Sequence, residues 1–351
     1  MEAVDVRGRF VWHQLMTRDV PGAKQFYGKL MGWKTMAWPL DPAYTVCHAD
    51  GGPVAGIMQI PADLPGEIPS HWIQYIGARD VDATADAAVR AGGSVVKPPE
   101  NMAGAGRYAL LMDPQGALFA VIDPERAHPE PDGLPPLGGF SWHELATTDN
   151  EAAFAFYSGL FGWEAMERMD LGPSTGVYLI FGQNGVQRGG MYIKAADMPA
   201  PPHWLPYAHV PSSDDGCALA RAAGGNLMVG PMDVPGGGRI AVFTDPAGAG
   251  FAIHSVTGQA VATVKAVAKA EPKAKVKTKA KAKPKAKLEA KAKPKPKAKL
   301  KAKAKLKAKA KPKARAKLKT RSKSKKPAAR KKVVRKAARK SAAKKSTRRK
   351  K

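Results

Sequence analysis

The chain has 351 residues, a formal net charge of +29, 44% hydrophobic residues and two cysteines. The charge is uneven: residues 261–351 hold 42 Lys or Arg against two acids, a net +40, whereas residues 1–260 hold 16 against 27, a net −11. Cys47 and Cys217 exclude a disulfide framework and a CxxC metal or redox motif, and no run approaches the roughly 18 apolar residues that a membrane span needs.

The N-terminal segment MEAVDVRGRF lacks the apolar core of a signal peptide, so a reducing, cytoplasmic setting is expected. The alternation from Phe10 to Met16 predicts a strand. Asp19 then offers a helix cap, and apolar residues at helical spacing predict a helix from about Pro21 to Leu30 that Gly32 stops. Short strands broken by Gly and Pro follow Trp33. A second strand begins at His71, followed by a helix from about Val81 to Ala91 and strands near Ser94, Arg107 and Ala117. At Phe140 the order starts again, with a helix from about Glu151 to Leu160 and a stop at Gly162, and once more at His203.

The similarity lies in the residues as well as in the order. FVWHQLMTRDVPGAKQFYGKLMGWK from Phe10 returns as FSWHELATTDNEAAFAFYSGLFGWE from Phe140; HWIQY returns as HWLPY, and GRYALLMDPQG as GRIAVFTDPAG. The chain is a tandem duplication with four βαβββ modules, an α+β fold. About 260 residues suit two domains of ordinary size, each expected to bury a core of its own. The expected boundaries are 1–128 and 129–258, with a tail from 259 to 351.

Paired βαβββ modules carrying strand-Asp-helix-FY-x-x-L-x-GW and a later GR-x-x-x-x-x-DP-x-G turn resemble the vicinal oxygen chelate superfamily, which includes glyoxalase I, bleomycin-resistance proteins and extradiol dioxygenases. The resemblance covers roughly residues 8–256. It implies that two modules curl into one open cup, so that this chain makes two cups whose pairing stands in for a homodimer and makes a monomer the expected state. In metal-using members, it implies a His on the first strand, a His on the fifth and a Glu on the eighth. Here Trp12, Ile73 and Ala120 hold those places in the first half, and Trp142, Leu205 and Ala252 in the second. None of these side chains offers a donor to zinc, iron or manganese, so neither metal nor other cofactor is expected.

By alternation the cups are lined by Trp12, Gln14, Ile73, Tyr75, Ala120 and Ile122, and by Trp142, Glu144, Leu205, Tyr207, Ala252 and His254. An apolar concavity with a few polar groups suits a small organic ligand, while the same aromatics also suit plain sheet packing. Glu144 stands out: beside Trp142 in an apolar cup its pKa should rise, fitting it to act as a base or to pair with a cationic ligand, whereas Gln14 cannot titrate. His13 and His143, one residue off, should turn away from the cups. Gln14, Glu144, His71 and His203 share the facing of the vacated positions, either as polar groups at a wet rim or, for Glu144 and His203 in the second cup, as a shifted metal site. Arg107 and Arg239 follow the glycine-rich turns AGAGR and PGGGR, where a loop could fold over a ligand with a cation at its base, or where each loop is simply a hairpin.

From Lys265 onward the chain is nearly all Lys, Arg, Ala, Pro, Val, Leu, Ser and Thr, with no aromatic residue. Such a segment is expected to be disordered. Its composition resembles the arms of linker histones and bacterial histone-like proteins. It suits nonspecific binding to phosphate backbones, with a steep salt dependence, and nucleoid association. A counter-arm for the acidic body and a ligand for polyphosphate or anionic lipid are the competing readings. Two functions stand side by side: a metal-independent small-molecule binding module, whose enzymatic version uses Glu144 as base, and a nucleoid- or RNA-associated protein with the duplicated body as scaffold. A metal-dependent lyase or dioxygenase of the superfamily is a third.

Overall fold

The computed structural model describes residues 5–64, 68–126, 131–173 and 176–256; the basic tail and the readings made of it lie outside the described residues. Sixteen strands and four helices follow the predicted order. The first module contains β1 (Phe10–Thr17), α1 (Val20–Met31), β2 (Lys34–Trp38), β3 (Asp41–Ala49) and β4 (Gly52–Gln59). The second contains β5 (His71–Gly77), α2 (Val81–Arg90), β6 (Ser94–Met102), β7 (Gly106–Met112) and β8 (Leu118–Pro124). The third contains β9 (Phe140–Thr147), α3 (Asn150–Phe161), β10 (Glu164–Asp170), β11 (Val177–Gln183) and β12 (Val186–Ile193). The fourth contains β13 (His203–His209), α4 (Ser213–Ala222), β14 (Asn226–Val234), β15 (Gly238–Thr244) and β16 (Gly250–Val256). No described helix is long and apolar enough to cross a membrane.

The helices form where the sequence signals them. Asp19, Asp80 and Asp149 each accept a backbone N–H three residues on, at 2.9, 2.9 and 3.0 Å, satisfying donors that a helix start leaves unpaired. Gly32 and Gly162 close α1 and α3 at φ 71° and 75°, a conformation that costs glycine little. On α1 the buried residues Ala23, Phe26, Tyr27 and Leu30 recur at the spacing of one helix face.

Each half makes one eight-stranded sheet, in the order β2-β3-β4-β1-β5-β8-β7-β6 and its repeat β10-β11-β12-β9-β13-β16-β15-β14. β1 runs parallel to β4 and antiparallel to β5, so the first strands of two modules meet at the sheet centre, and β9 does the same with β12 and β13. The sheets stay within the halves, whereas the two largest cores cross between them. One core joins Phe26, Tyr27 and Trp33 from the first half to Cys217, Phe243 and Phe251 from the second. A second joins Val81, Phe119 and Val121 to Phe156, Tyr157 and Trp163. Two smaller cores lie within the halves, one around Val11, Ile73, Tyr75 and Tyr108 and one around Leu205, Tyr207 and Ala252, so each half buries a core of its own while the helix of its first module packs on the second module of the other half.

The two repeat motifs recognise one another across this boundary. Tyr27 on α1 donates to Asp245 Oδ2 at 3.1 Å, and Tyr157 on α3 donates to Asp113 Oδ2 at 3.1 Å. Asp113 and Asp245 are the aspartates of the DP-x-G turns, and each also accepts backbone N–H groups of its own turn. Burial raises the pKa of both carboxyls although those hydrogen bonds oppose it. Trp72 and Trp204 complete the pattern by donating to the hydroxyls of Tyr27 and Tyr157.

Candidate functional site: two aromatic cups

Cross-strand partners share a face, and the pairing fixes the cup floors. Trp12 opposes Tyr75, which opposes Ala120; Gln14 opposes Ile73. In the second half Trp142 opposes Tyr207, which opposes Ala252; Glu144 opposes Leu205. These rows place Trp12, Gln14, Ile73, Tyr75 and Ala120 on one face of the first sheet and Trp142, Glu144, Leu205, Tyr207 and Ala252 on one face of the second. His13 and His143 turn to the other side, where their Nε2 atoms lie 2.8 Å apart between the halves, with His13 stacked on Phe140 and His143 on Phe10.

The floor of the first cup is a hydrogen-bonded chain. Trp12 Nε1 donates to the Tyr44 hydroxyl at 2.7 Å; Tyr44 and Tyr75 both donate to Gln14 Oε1, at 3.3 and 3.0 Å. Gln14 Nε2 is left with the thioethers of Met16 and Met58, at 2.9 and 3.9 Å, which are weak acceptors. Above this floor is a cavity of about 350 Å³, walled by Trp38, Tyr44, Tyr75, Tyr108, Met102 and Ile122 among others. The tip of the β6–β7 hairpin approaches that of β2–β3: a Cβ at Gly104 would lie 2.4 Å from Leu40 Cδ1 and 3.2 Å from Trp38 Cζ2.

The second floor repeats this chain with one change. Trp142 Nε1 donates to Tyr178 OH at 2.9 Å, Tyr178 OH donates to Glu144 Oε2 at 2.9 Å, and Tyr207 OH donates to Glu144 Oε1 at 2.9 Å. Glu144 is half-buried, with both carboxylate oxygens facing tyrosine hydroxyls. Loss of hydration raises its pKa, and the two tyrosine hydrogen bonds only partly offset that. The tyrosine hydroxyls titrate well above their ordinary range, by burial and by the nearby carboxylate, so they remain donors.

Tyr44 and Tyr178 escaped sequence reasoning because they do not recur at the repeat spacing: Tyr44 is 32 residues after Trp12, whereas Tyr178 is 36 after Trp142. A signal does exist in glycines of the neighbouring strands, two residues out of register with these tyrosines. A Cβ at Gly56 would lie 2.2 Å from Tyr44 Cζ, and one at Gly190 would lie 2.1 Å from Tyr178 Cζ, so each tyrosine ring lies flat over a glycine.

Two expectations are corrected by position. Arg107 and Arg239 do not stand in the cups. Arg107 shares the helix-side facing of Ala109 and Leu111, grips Asp82 in the first turn of α2 and bonds Asn101. Arg239 grips Asp214 in α4 and bonds Asp233. Each arginine fastens a hairpin to a helix start. His71 and His203 each direct Nδ1 at a proline carbonyl, Pro69 or Pro201, at 2.8 Å, and burial lowers their pKa.

The residues present do not fit the metal that the superfamily pattern implies. Trp12, Ile73 and Ala120 and their counterparts Trp142, Leu205 and Ala252 supply no donor. Among the described residues no group of three His, Cys, Asp or Glu side chains converges.

Paired βαβββ modules around two cups define a class that sequence comparison confirms. A family profile described as the Glyoxalase/Bleomycin resistance protein/Dioxygenase superfamily matches residues 9–121 and 139–253, and the chain belongs to that superfamily. It is 33% identical over 246 residues to "Putative glyoxylase CFP32" of Mycobacterium bovis, covering 69% of this chain and 92% of the relative. It is 32% identical over 263 residues to the anthracycline biosynthesis protein DnrV of Streptomyces peucetius, covering 70% and 92%. Among solved structures, the Mn(II)-bound glyoxalase from Novosphingobium aromaticivorans matches with a TM-score of 0.53 and 18% identity, over 72% of this chain and 83% of that one. The 2,3-dioxygenase LapB from Pseudomonas sp. KL28 matches with a TM-score of 0.51 and 12% identity, over 72% and 93%. At these identities the likeness is one of fold.

Proposed function

We propose that the duplicated body is a metal-independent binding module for small organic molecules, and that its first cup takes a flat aromatic compound. The observation that carries this reading is the aromatic-walled cavity of about 350 Å³ over the Trp12–Tyr44–Gln14–Tyr75 floor, where a metal-using relative would need donors. Aromatic walls favour offset stacking with a planar ligand. The Gln14 amide N–H, held only by thioethers, is free to donate to a ligand carbonyl or phenol oxygen. That one relative is named for anthracycline biosynthesis supports a fused-ring aromatic as the first probe.

The test is titration of nuclease-treated full-length protein with 1,8-dihydroxyanthraquinone, read by tryptophan quenching. Binding at about micromolar affinity is expected. Trp12→Ala should weaken it at least tenfold, and prior incubation with EDTA should leave it unchanged. Loss of binding on chelation would overturn the metal-independent reading, and an unaffected Trp12→Ala variant would move the site elsewhere.

We further propose that the basic segment 261–351 holds nucleic acid through phosphate contacts, a reading supported by its net +40 charge and lack of aromatic residues. Deleting it should abolish retention on duplex DNA. With about ten phosphates neutralised, the full chain's log K against log salt should have a slope of about −9. A body that retains DNA equally without the segment overturns the proposal.

A further inference from the structure

The two cup floors share a tryptophan and two tyrosines, and they differ at one polar position, Gln14 against Glu144. That difference inverts what the floor offers a ligand. In the second cup the three donors of the floor are spent: Trp142 Nε1 on Tyr178, and the hydroxyls of Tyr178 and Tyr207 on the carboxylate. What remains is acceptor capacity. Each Glu144 oxygen keeps a lone pair beyond the one its tyrosine uses, and the surrounding rings present electron-rich faces.

A fourth ring extends the wall. Tyr192 on β12 shares the facing of Gly190, which opposes Glu144, and its ring stacks over that of Tyr178 with centroids 6.4 Å apart and planes 15° apart. Among the described residues Glu144 takes part in no salt bridge, and its hydrogen bonds come from the hydroxyls of Tyr178 and Tyr207. A half-buried carboxylate without a counter-charge is costly, and leaving it so beside an aromatic wall makes sense when the counter-charge arrives with the ligand.

We infer that the second cup is a receptor for an organic ammonium ion, a tertiary or quaternary amine, with Glu144 supplying the counter-charge and Trp142, Tyr178, Tyr192 and Tyr207 the aromatic cage. The first cup, with Gln14 in place of Glu144, takes uncharged ligands, so the duplication sorts ligands by charge. The inference rests on the reading of the cups as ligand sites.

Benzyltrimethylammonium and its uncharged carbon isostere neopentylbenzene form the matched pair of probes, measured by equilibrium dialysis against the full chain at physiological ionic strength. Wild-type protein should bind the cation at least tenfold more tightly than the isostere. Glu144→Gln, which copies the first cup's amide, should reduce that ratio to below about threefold while cooperative unfolding persists. Equal affinity of the wild type for the two probes would overturn the inference without any variant, and so would a preference that survives Glu144→Gln, since the acidic body would then attract the cation by net charge alone. Anthraquinone binding in the first cup without cation preference in the second sinks only this inference. Absence of binding by all three probes sinks the ligand-site reading itself.

Discussion

The two cups are the same construction with opposite polar chemistry, and the contrast separates what the fold demands from what a ligand demands. Trp12 and Trp142 donate to Tyr44 and Tyr178 in the same way, and Tyr75 and Tyr207 reach inward from equivalent places on β5 and β13. These groups form a scaffold that holds whatever stands at the centre. In the first cup the centre is neutral and its amide nitrogen faces thioethers; in the second it is a carboxylate that burial pushes toward protonation. A fold needs no ionisable group there, as the first cup demonstrates. Glu144 is thus a residue whose stability cost points to use.

The largest expected effect tests how far the halves are separable. Because the two largest cores draw on both halves, a chain of residues 1–128 alone exposes Phe26, Tyr27 and Phe119 and loses the Tyr27–Asp245 and Tyr157–Asp113 bonds. Hydrogen bonds to charged groups are worth about 1.5–3 kcal/mol each, and losing them together with the apolar contact exceeds the margin of a small domain. The isolated half should show no cooperative unfolding in circular dichroism, and mixing it with residues 129–260 should restore the transition. A cooperative transition of the half alone would break the picture of shared cores.

The next effect is an exchange of the centres. Glu144→Gln should stabilise the protein at pH 7 by about 1 kcal/mol, since Gln14 already shows that two tyrosine hydroxyls can share one amide oxygen. Gln14→Glu should destabilise it by about 1–3 kcal/mol, because it buries a new carboxylate. Denaturant midpoints at constant m-value would check both. Equal signs for the two exchanges would mean that the cups are not equivalent scaffolds.

The smallest effect is the pH dependence of the Glu144→Gln difference. A carboxyl whose folded pKa lies above its unfolded value favours the folded state at low pH and loses that contribution as pH rises through the folded value. The variant's advantage should therefore be near zero below the ordinary carboxylate range, grow as pH rises through it and level off above the raised value. A difference that is flat from acid to neutral pH would show that Glu144 carries no perturbed proton.

Much of the architecture was legible because it is local. Asp19 and Asp149 cap helices within three residues, Gly32 and Gly162 stop them, and strand alternation assigned Trp12, Gln14, Tyr75, Glu144 and Tyr207 to the cups and turned His13 and His143 away. Tyr44 and Tyr178 were not legible, since a loop-length difference takes them off the repeat spacing and the glycines they cover announce no partner. The arginines misled for a related reason. A cation beside a glycine-rich turn looks available until the fold brings Asp82 or Asp214, 25 residues away, into its grip.

By itself the sequence determined the four modules, the duplication and the facing of each strand, because these depend on backbone periodicity, capping and side-chain chemistry that act over a few residues. Only the tertiary structure decided that the two largest cores are shared between halves, that the paired tyrosine and aspartate motifs hold them together, and that the half-buried Glu144 is held by two tyrosine hydroxyls. Those outcomes depend on which distant surfaces exclude water from one another, and sheet order and helix docking set that across 44 residues of chain for one tyrosine–aspartate pair and 218 for the other.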